Sequence, residues 1–329
     1  MKYRKLGTTD LDVSVICLGT MTWGEQNNQE DGFKQMDYAV ERGVNFFDTA
    51  EVYSIPTRAE TYGKTEEIIG NWFAQNNKRK DVILATKICA KSEGNSWIRD
   101  GGPNLIFDKK NINEAVDGSL KRLKTDYIDL YQLHAPERKV PKFGKLDFEY
   151  DPEDSWVELE EVLSCLQDLI KQGKVRHIGV SNETPWGTMK YLELSETRSL
   201  PRIASIQNAY NLVNRGFEIG LSEIAMQEQV GLLAYSPLAQ GTLTGKYLDG
   251  QIPQGSRMAL FGDGPLMMRY KGEKTQKAIE MYVDIAKKFE IDPTQLAIQF
   301  CNIQPFVTSN IIGATTMDQL KICIDSIHV

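Results

Sequence analysis

Residues Asn45–Tyr53 read NFFDTAEVY, and the two halves of that stretch ask for different surroundings. Val44, Phe46 and Phe47 are bulky and apolar and follow Gly43, which is how a buried strand begins. Asp48 and Tyr53 then bring an acid and a phenol to the loop that leaves the strand. Ending a buried strand on two ionisable groups makes sense when something is bound there.

Outward from this stretch, strands and helices alternate. Residues 3–16 read as a hairpin turning at Gly7–Asp10, and Val15–Thr20 as a strand ending in Gly19-Thr20-Met21. The spacing of Phe33, Met36, Asp37 and Val40 predicts a helix over 29–42, stopped by Gly43. Strand Asn45–Thr49 precedes a helix at 64–76, Asp81–Ile88 one at 109–124, and Tyr127–His134 one at 155–172. Val175–Ser181 precedes a helix at 185–196 begun by Pro185. Ala204–Asn208 precedes 216–228, Val230–Ser236 precedes helices at 274–289 and 293–303, and Asn310–Ala314 precedes 316–326.

Strands this continuously apolar are covered on both faces and run parallel. Eight of them alternating with helices predict a (β/α)8 TIM barrel, as one domain over residues 1–329. An open doubly wound sheet is the alternative, but it carries GxGxxG after its first strand, and Gly19–Gly24 reads GTMTWG. The loops 54–63, 89–108, 135–154 and 239–272 are too long to be mere connections. All follow strands, which in a barrel puts them on the C-terminal face, where active sites sit.

A net charge of −7 argues against nucleic acid or an anionic membrane as the main partner. No apolar run approaches the ~20 residues of a membrane span, and the N-terminus shows no apolar signal segment. Five cysteines without a CxxC pair read as reduced thiols of a cytoplasmic protein. The three histidines do not pair at ligand spacing, so no metal is expected. Oligomeric state is not written in these features.

Strand ends on the C-terminal face carry the chemistry. Asp48 and Tyr53 leave the second strand, Lys87 ends the third and His134 the fourth. Taken singly, each has an ordinary reading: a helix cap, a core aromatic, a snorkelling lysine, a satisfied core histidine. Taken together, four ionisable groups converge at one end of three adjacent strands. A free phenol, pKa about 10, is a poor acid at neutral pH. An adjacent ammonium would stabilise the phenolate and lower that value, and Asp48 would keep Lys87 charged. His134 would hydrogen-bond the substrate oxygen. Such a set serves a carbonyl that receives a hydride and needs a proton.

The segments FDTAEVY, ATK, QLH, GVSN, IQNAYN, AYSPLAQGTLTGKY and IIGAT, in this order from Gly19 to Gln319, resemble the motifs of the aldo-keto reductase superfamily. The pattern is nearest to its Tas-like bacterial branch, the extra segment 135–154 included, and more distantly like potassium-channel β subunits. The resemblance implies a catalytic set of Asp48, Tyr53, Lys87 and His134, with Tyr53 the general acid, and an NADP(H) cofactor extended across the barrel mouth. It implies that Ser181, Asn182 and Gln207 hold the carboxamide and that Tyr235 stacks on the nicotinamide. Ser236, Pro237, Leu238, Gln240, Gly241, Leu243 and Lys246 would surround the pyrophosphate, and Arg257 the adenosine phosphate. Gly313, Thr315 and Gln319 would make the last phosphate and adenine contacts, with Gly19, Thr20 and Met21 at the end of the first strand. Relatives often carry Glu and Asn where this chain has Ile322 and Cys323, so weaker adenine contacts are expected. They also run on past the last helix, so substrate contacts from such a tail are not expected within Met1–Val329.

The substrate expected is a small carbonyl compound, with Trp23, Trp97, Phe107 and Tyr62 on C-terminal-face loops as candidate pocket walls. Two other functions fit the same residues: an NADPH-binding redox sensor or regulatory subunit with incidental turnover, and a lyase or isomerase using Lys87 as a Schiff-base amine. Ser181-Asn182 could also cap the helix near Pro185. GTLTGK at Gly241–Lys246 is not a P-loop, being one residue short and followed by Tyr247.

Overall fold

In the computed structural model, residues 1–91, 95, 97–99, 105–145, 147–262, 264, 267 and 269–329 are described. Parts of the predicted loops 89–108, 135–154 and 239–272 therefore lie outside the described residues. A hairpin of β1 (Tyr3–Lys5) and β2 (Asp12–Ser14) precedes the strands β3 (Ile16–Gly19), β4 (Phe46–Asp48), β5 (Ile83–Ile88) and β6 (Ile128–Leu133). Strands β7 (Val175–Ser181), β8 (Ile203–Ala209), β9 (Gly231–Tyr235) and β10 (Val307–Ile312) complete the set. Strands β3 to β10 close in sequence order into a parallel barrel, β10 pairing β3, so the (β/α)8 expectation is met.

The helices lie where the periodicity put them, with instructive exceptions. α1 (Gln29–Glu41) starts from a capping box in which Asn28 and Asp31 exchange hydrogen bonds. α2 (Lys64–Asn76) and α3 (Lys109–Leu123) follow β4 and β5. α4 begins only at Leu159 and ends at Lys171, because the Val157 amide is taken by the Glu137 carboxylate at 3.1 Å, which holds the preceding turn open. α5 (Pro185–Arg198) is capped by Thr184, whose hydroxyl accepts from the Gly187 amide, so Ser181 and Asn182 are not needed as caps. The expected helix over 216–228 is split by Gly220, at φ +81°, into a single 3-10 turn and α6 (Leu221–Gln227). α7 (Arg257–Phe261), α8 (Glu273–Lys288), α9 (Pro293–Asn302) and α10 (Met317–Asp325) complete the chain.

Two apolar layers follow from the two-residue period of the strands. Ile16, Leu18, Phe47, Leu84, Tyr131, Leu232 and Ile312 point outward into the core beneath the helices. Cys17, Phe46, Ala85, Leu130, Leu233 and Ile311 point inward and meet Leu6, Leu11 and Val13 of the hairpin, which plugs the N-terminal end. With the lower barrel filled by hydrocarbon, the next inward positions towards the C-terminal end are Asp48, Lys87, Gln132, Gln207 and Tyr235. No helix among the described residues is long and apolar enough to cross a membrane.

Candidate active site

β4 lies in register with β5 through Asp48↔Ala85, and β5 with β6 through Lys87↔Gln132. Lys87 thus starts two residues above Asp48 and reaches back to it. Its Nζ lies 2.6 Å from Asp48 Oδ2, 2.6 Å from the Thr49 carbonyl and 3.5 Å from the Tyr53 hydroxyl. Lys87 and Asp48 are both buried, so the ion pair is sheltered from solvent screening. The Tyr53 amide donates to the Ala50 carbonyl at 3.1 Å, a turn that brings the phenol back over Lys87. His134 meets the Tyr53 ring edge-on, with centroids 5.7 Å apart. The four ionisable side chains are therefore together, Asp48 ending the strand itself instead of standing on the loop after it.

Two glutamines complete the floor. Gln207 Nε2 donates to Asp48 Oδ1 at 2.8 Å and Gln132 Nε2 to the same oxygen at 3.2 Å. Both oxygens of the carboxylate are thus engaged, Oδ2 by the ammonium and Oδ1 by amides. Gln132 was absent from the residues picked out in the sequence, although it stands two positions before His134 and the strand period turns both inward.

Burial decides the titration. It raises the Tyr53 phenol above its ordinary value; Lys87 and, more weakly, Arg257 pull downward, and Asp48 adds to the rise. The expectation of a lowered phenol pKa is thus corrected: at this depth desolvation exceeds the ammonium's pull. Burial also opposes the Lys87 charge, but Asp48 and Tyr53 outweigh it and its pKa is raised. His134, desolvated and close to Lys87, is held well below the ordinary imidazole value and is neutral at pH 7.

Above this floor opens a cavity of about 1080 Å³, lined by Asp48, Tyr53 and His134, by Gln207 of β8 and by loops after the other barrel strands. Gly19, Thr20, Met21, Ser181, Asn182, Gln207, Tyr235, Ser236, Pro237, Leu238, Gln240, Gly241, Lys246, Arg257, Gly313, Thr315 and Gln319 all line it. Leu243 does not: its side chain packs into the small core formed by Ala239, Tyr270, Ile279, Val283 and Ala297. Ser181, Asn182 and Tyr235 are linked, the Tyr235 hydroxyl donating to Asn182 Oδ1 at 2.7 Å and Asn182 Nδ2 contacting Ser181 Oγ at 3.1 Å. Ile322 and Cys323 line the far wall beside Asp318 and Gln319, and burial, to which Asp292 adds, pushes the Cys323 thiol up to about 12, so the thiol itself stays uncharged.

The suggested aromatic walls are corrected. Trp23 is fully buried in the outer core, its indole N–H on Gln35 Oε1 at 3.3 Å. Its loop folds back because Ser54 and Thr65 both donate to its carbonyl. Trp97 is exposed and packs edge-on against Tyr62, and Tyr62 is sandwiched further by Arg122. Phe107 is buried in the outer core. The apolar side chains that do line the cavity include Val52 and Ile55, on either side of Tyr53 in the chain, and Phe143.

The chain matches the sequence profile of the Aldo/keto reductase family over residues 15–329. It belongs to the aldo/keto reductase family. Protein tas of Escherichia coli (strain K12) is 49% identical to this protein over 330 residues, covering 100% of this chain and 94% of that protein. Uncharacterized oxidoreductase YrpG of Bacillus subtilis (strain 168) is 34% identical over 333 residues, covering 100% and 92%. A probable voltage-gated potassium channel subunit beta of Oryza sativa subsp. japonica is 31% identical over 326 residues, covering 97% and 89%. The likeness to Tas-like proteins and, more distantly, to channel β subunits that the motifs of this chain implied is thereby established.

Proposed function

We propose that this protein converts an aldehyde or ketone to the alcohol, with NADPH as reductant and Tyr53 as proton donor. The observation that carries this reading is the buried chain Asp48–Lys87–Tyr53, which ends on a phenol at the floor of a large cavity. A phenol with a raised pKa stays protonated through the neutral range and is available as an acid. Lys87, held cationic by Asp48, faces the charge left on the phenolate once the proton has gone. Neutral His134, beside Tyr53, is suited to hydrogen-bond the same substrate oxygen. The raised Lys87 pKa disfavours the Schiff-base alternative, which needs a neutral amine.

The residues present fit a dinucleotide phosphate. Lys246 and Arg257 line the cavity with no carboxylate partner among the described residues, and Gln240 Oε1 is buried without a hydrogen-bond partner among them. At Gly241, φ +93°, an added Cβ would come within 2.9 Å of Lys246 Cε, so glycine lets that loop close on its own lysine. Lys246 and Arg257 would hold phosphates, Gln240 and Gly241 would line the pyrophosphate, and Ser181, Asn182 and Gln207 would orient the carboxamide. Bound NADPH supplies the hydride.

NADPH oxidation followed at its absorbance band, across a panel of aldehydes and ketones, tests the reading. Turnover with at least one member is expected. Tight NADPH binding with no turnover on any would favour the sensor or regulatory role instead.

The choice of nucleotide is tested separately. The 2′-phosphate that distinguishes NADPH carries about −1.5 to −2 charges, by analogy with phosphomonoesters. An arginine fork matches its oxygens. Arg257→Ala should weaken NADPH about ten- to a hundredfold, the worth of a charged hydrogen bond, and leave NADH nearly unchanged. Paired tryptophan-fluorescence titrations at fixed salt read this out. Equal losses for both nucleotides would move Arg257 off the 2′-phosphate, a real alternative because its charge is also felt at Tyr53.

A further inference from the structure

The cavity has two walls of different origin. Strand β8 and the ends of and loops after β3, β7, β9 and β10 bring the side chains matched to the dinucleotide. The opposite wall, from loops after β4, β5 and β6, consists of Val52, Ile55, Ala90, Lys91, Lys142 and Phe143, with others. Apolar surface and cations dominate it. Among the described residues, the carboxylates lining the cavity are Asp48, committed to Lys87, and Asp318 beyond β10 on the other side.

Arg269 joins this wall from the long loop after β9. Its guanidinium lies 5.3 Å over the Phe143 ring and close to the Tyr235 hydroxyl. Its stem rests on Gly144, at φ +97°, where an added Cβ would come within 2.9 Å of Arg269 Cγ. The backbone of the 135–154 loop is thus shaped to let the arginine in. Arg269 Nε is buried and has no hydrogen-bond partner among the described residues. A guanidinium N–H removed from water and left unpaired is unfavourable, and the fork is built for a planar oxyanion. Lys142, the neighbour of Phe143, commits one donor to the Pro136 carbonyl at 2.9 Å and has others to give. Burial lowers its pKa, so a further anionic partner would be welcome there too.

We propose that Arg269, supported by Lys142, binds a carboxylate, and that the carbonyl compound reduced at Tyr53 carries one. This rests on the carbonyl-reductase reading above. A phosphate of the dinucleotide would satisfy the same fork. Lys246 and Arg257 already serve the cofactor wall, however, whereas Arg269 is packed on the ring of the facing loop.

The test compares matched substrates: 4-carboxybenzaldehyde against its methyl ester, and succinic semialdehyde against butanal. The protein should prefer the acids by at least about tenfold in kcat/KM, chiefly through KM. Arg269→Gln should lower kcat/KM for the acids by about ten- to a hundredfold. The ester and butanal should change less than about threefold, as should the NADPH dissociation constant. Lys142→Gln should act in the same direction and less strongly. Equal kcat/KM for acid and neutral partner in the wild type overturns the proposal. So does an Arg269→Gln variant that loses NADPH affinity and both substrates alike, which would make the arginine a cofactor-phosphate residue.

If neither member of either pair is turned over, calorimetry of terephthalate binding to the NADPH-loaded protein decides the site on its own, and the reductase reading fails only if the wider panel of aldehydes and ketones is silent too. Binding lost in Arg269→Gln upholds the carboxylate site. No binding to the wild type refutes it.

Discussion

Tyr53→Phe should lower kcat for carbonyl reduction by at least ~10²–10⁴, the usual worth of a general acid, while NADPH affinity stays within about twofold. The ring and its edge-on contact with His134 remain, so only the proton and its hydrogen bond are removed. The pH profile gives a second readout. The acid form of Tyr53 is the active one, and burial raises its pKa above the ordinary phenol value. Reduction by the wild type should therefore be flat through neutral pH and decline only as pH rises through that raised value. His134 is already neutral and adds no limb near pH 6.5. In Tyr53→Phe the alkaline decline assigned to the phenol should disappear along with the rate. Near wild-type turnover in this variant would mean that another group delivers the proton.

What could be read in the sequence divides along physical lines. Strands such as VILATK were legible because near-continuous apolar residues signal burial on both faces, and inward parity then carries Lys87 and His134 to the mouth. β10 begins at Val307, before the expected Asn310, and its Ser309 is a buried polar residue whose hydroxyl donates to the Ser14 carbonyl. That partner is distant in the chain, so composition hid the start of the strand. Trp23 shows the complementary gap: its place after β3 fixes the end of the barrel it stands on, but not the direction of its side chain. That direction was set by Ser54, Thr65 and Gln35. The sign of the Tyr53 shift was missed for a related reason. Lys87 is visible as a neighbour, whereas desolvation depends on everything packed around the phenol. Arg269 could not be singled out, since what marks it is a buried N–H without a partner and a ring contributed by another loop.

Lys87→Met should remove activity by more than about a hundredfold and also destabilise the fold by ~3–5 kcal/mol, the cost of leaving one member of a buried ion pair behind. Asp48 is the member left behind. The amides of Gln132 and Gln207 still donate to its Oδ1, but Oδ2 loses the ammonium at 2.6 Å. A stability loss alone does not separate catalysis from packing, so the informative comparison is with Lys87→Met combined with Asp48→Asn. The amide oxygen can keep both glutamine donors, and neither charge remains buried. Replacing both partners of a buried pair is often close to neutral for stability, so the double variant should recover most of the loss in urea denaturation. Turnover should not recover with it, because nothing then faces the phenolate that Tyr53 becomes. A double variant as unstable as the sum of its single changes would mean that the pair is held by its packing and not by its charges. Recovered turnover in the folded double variant would remove Lys87 from the mechanism.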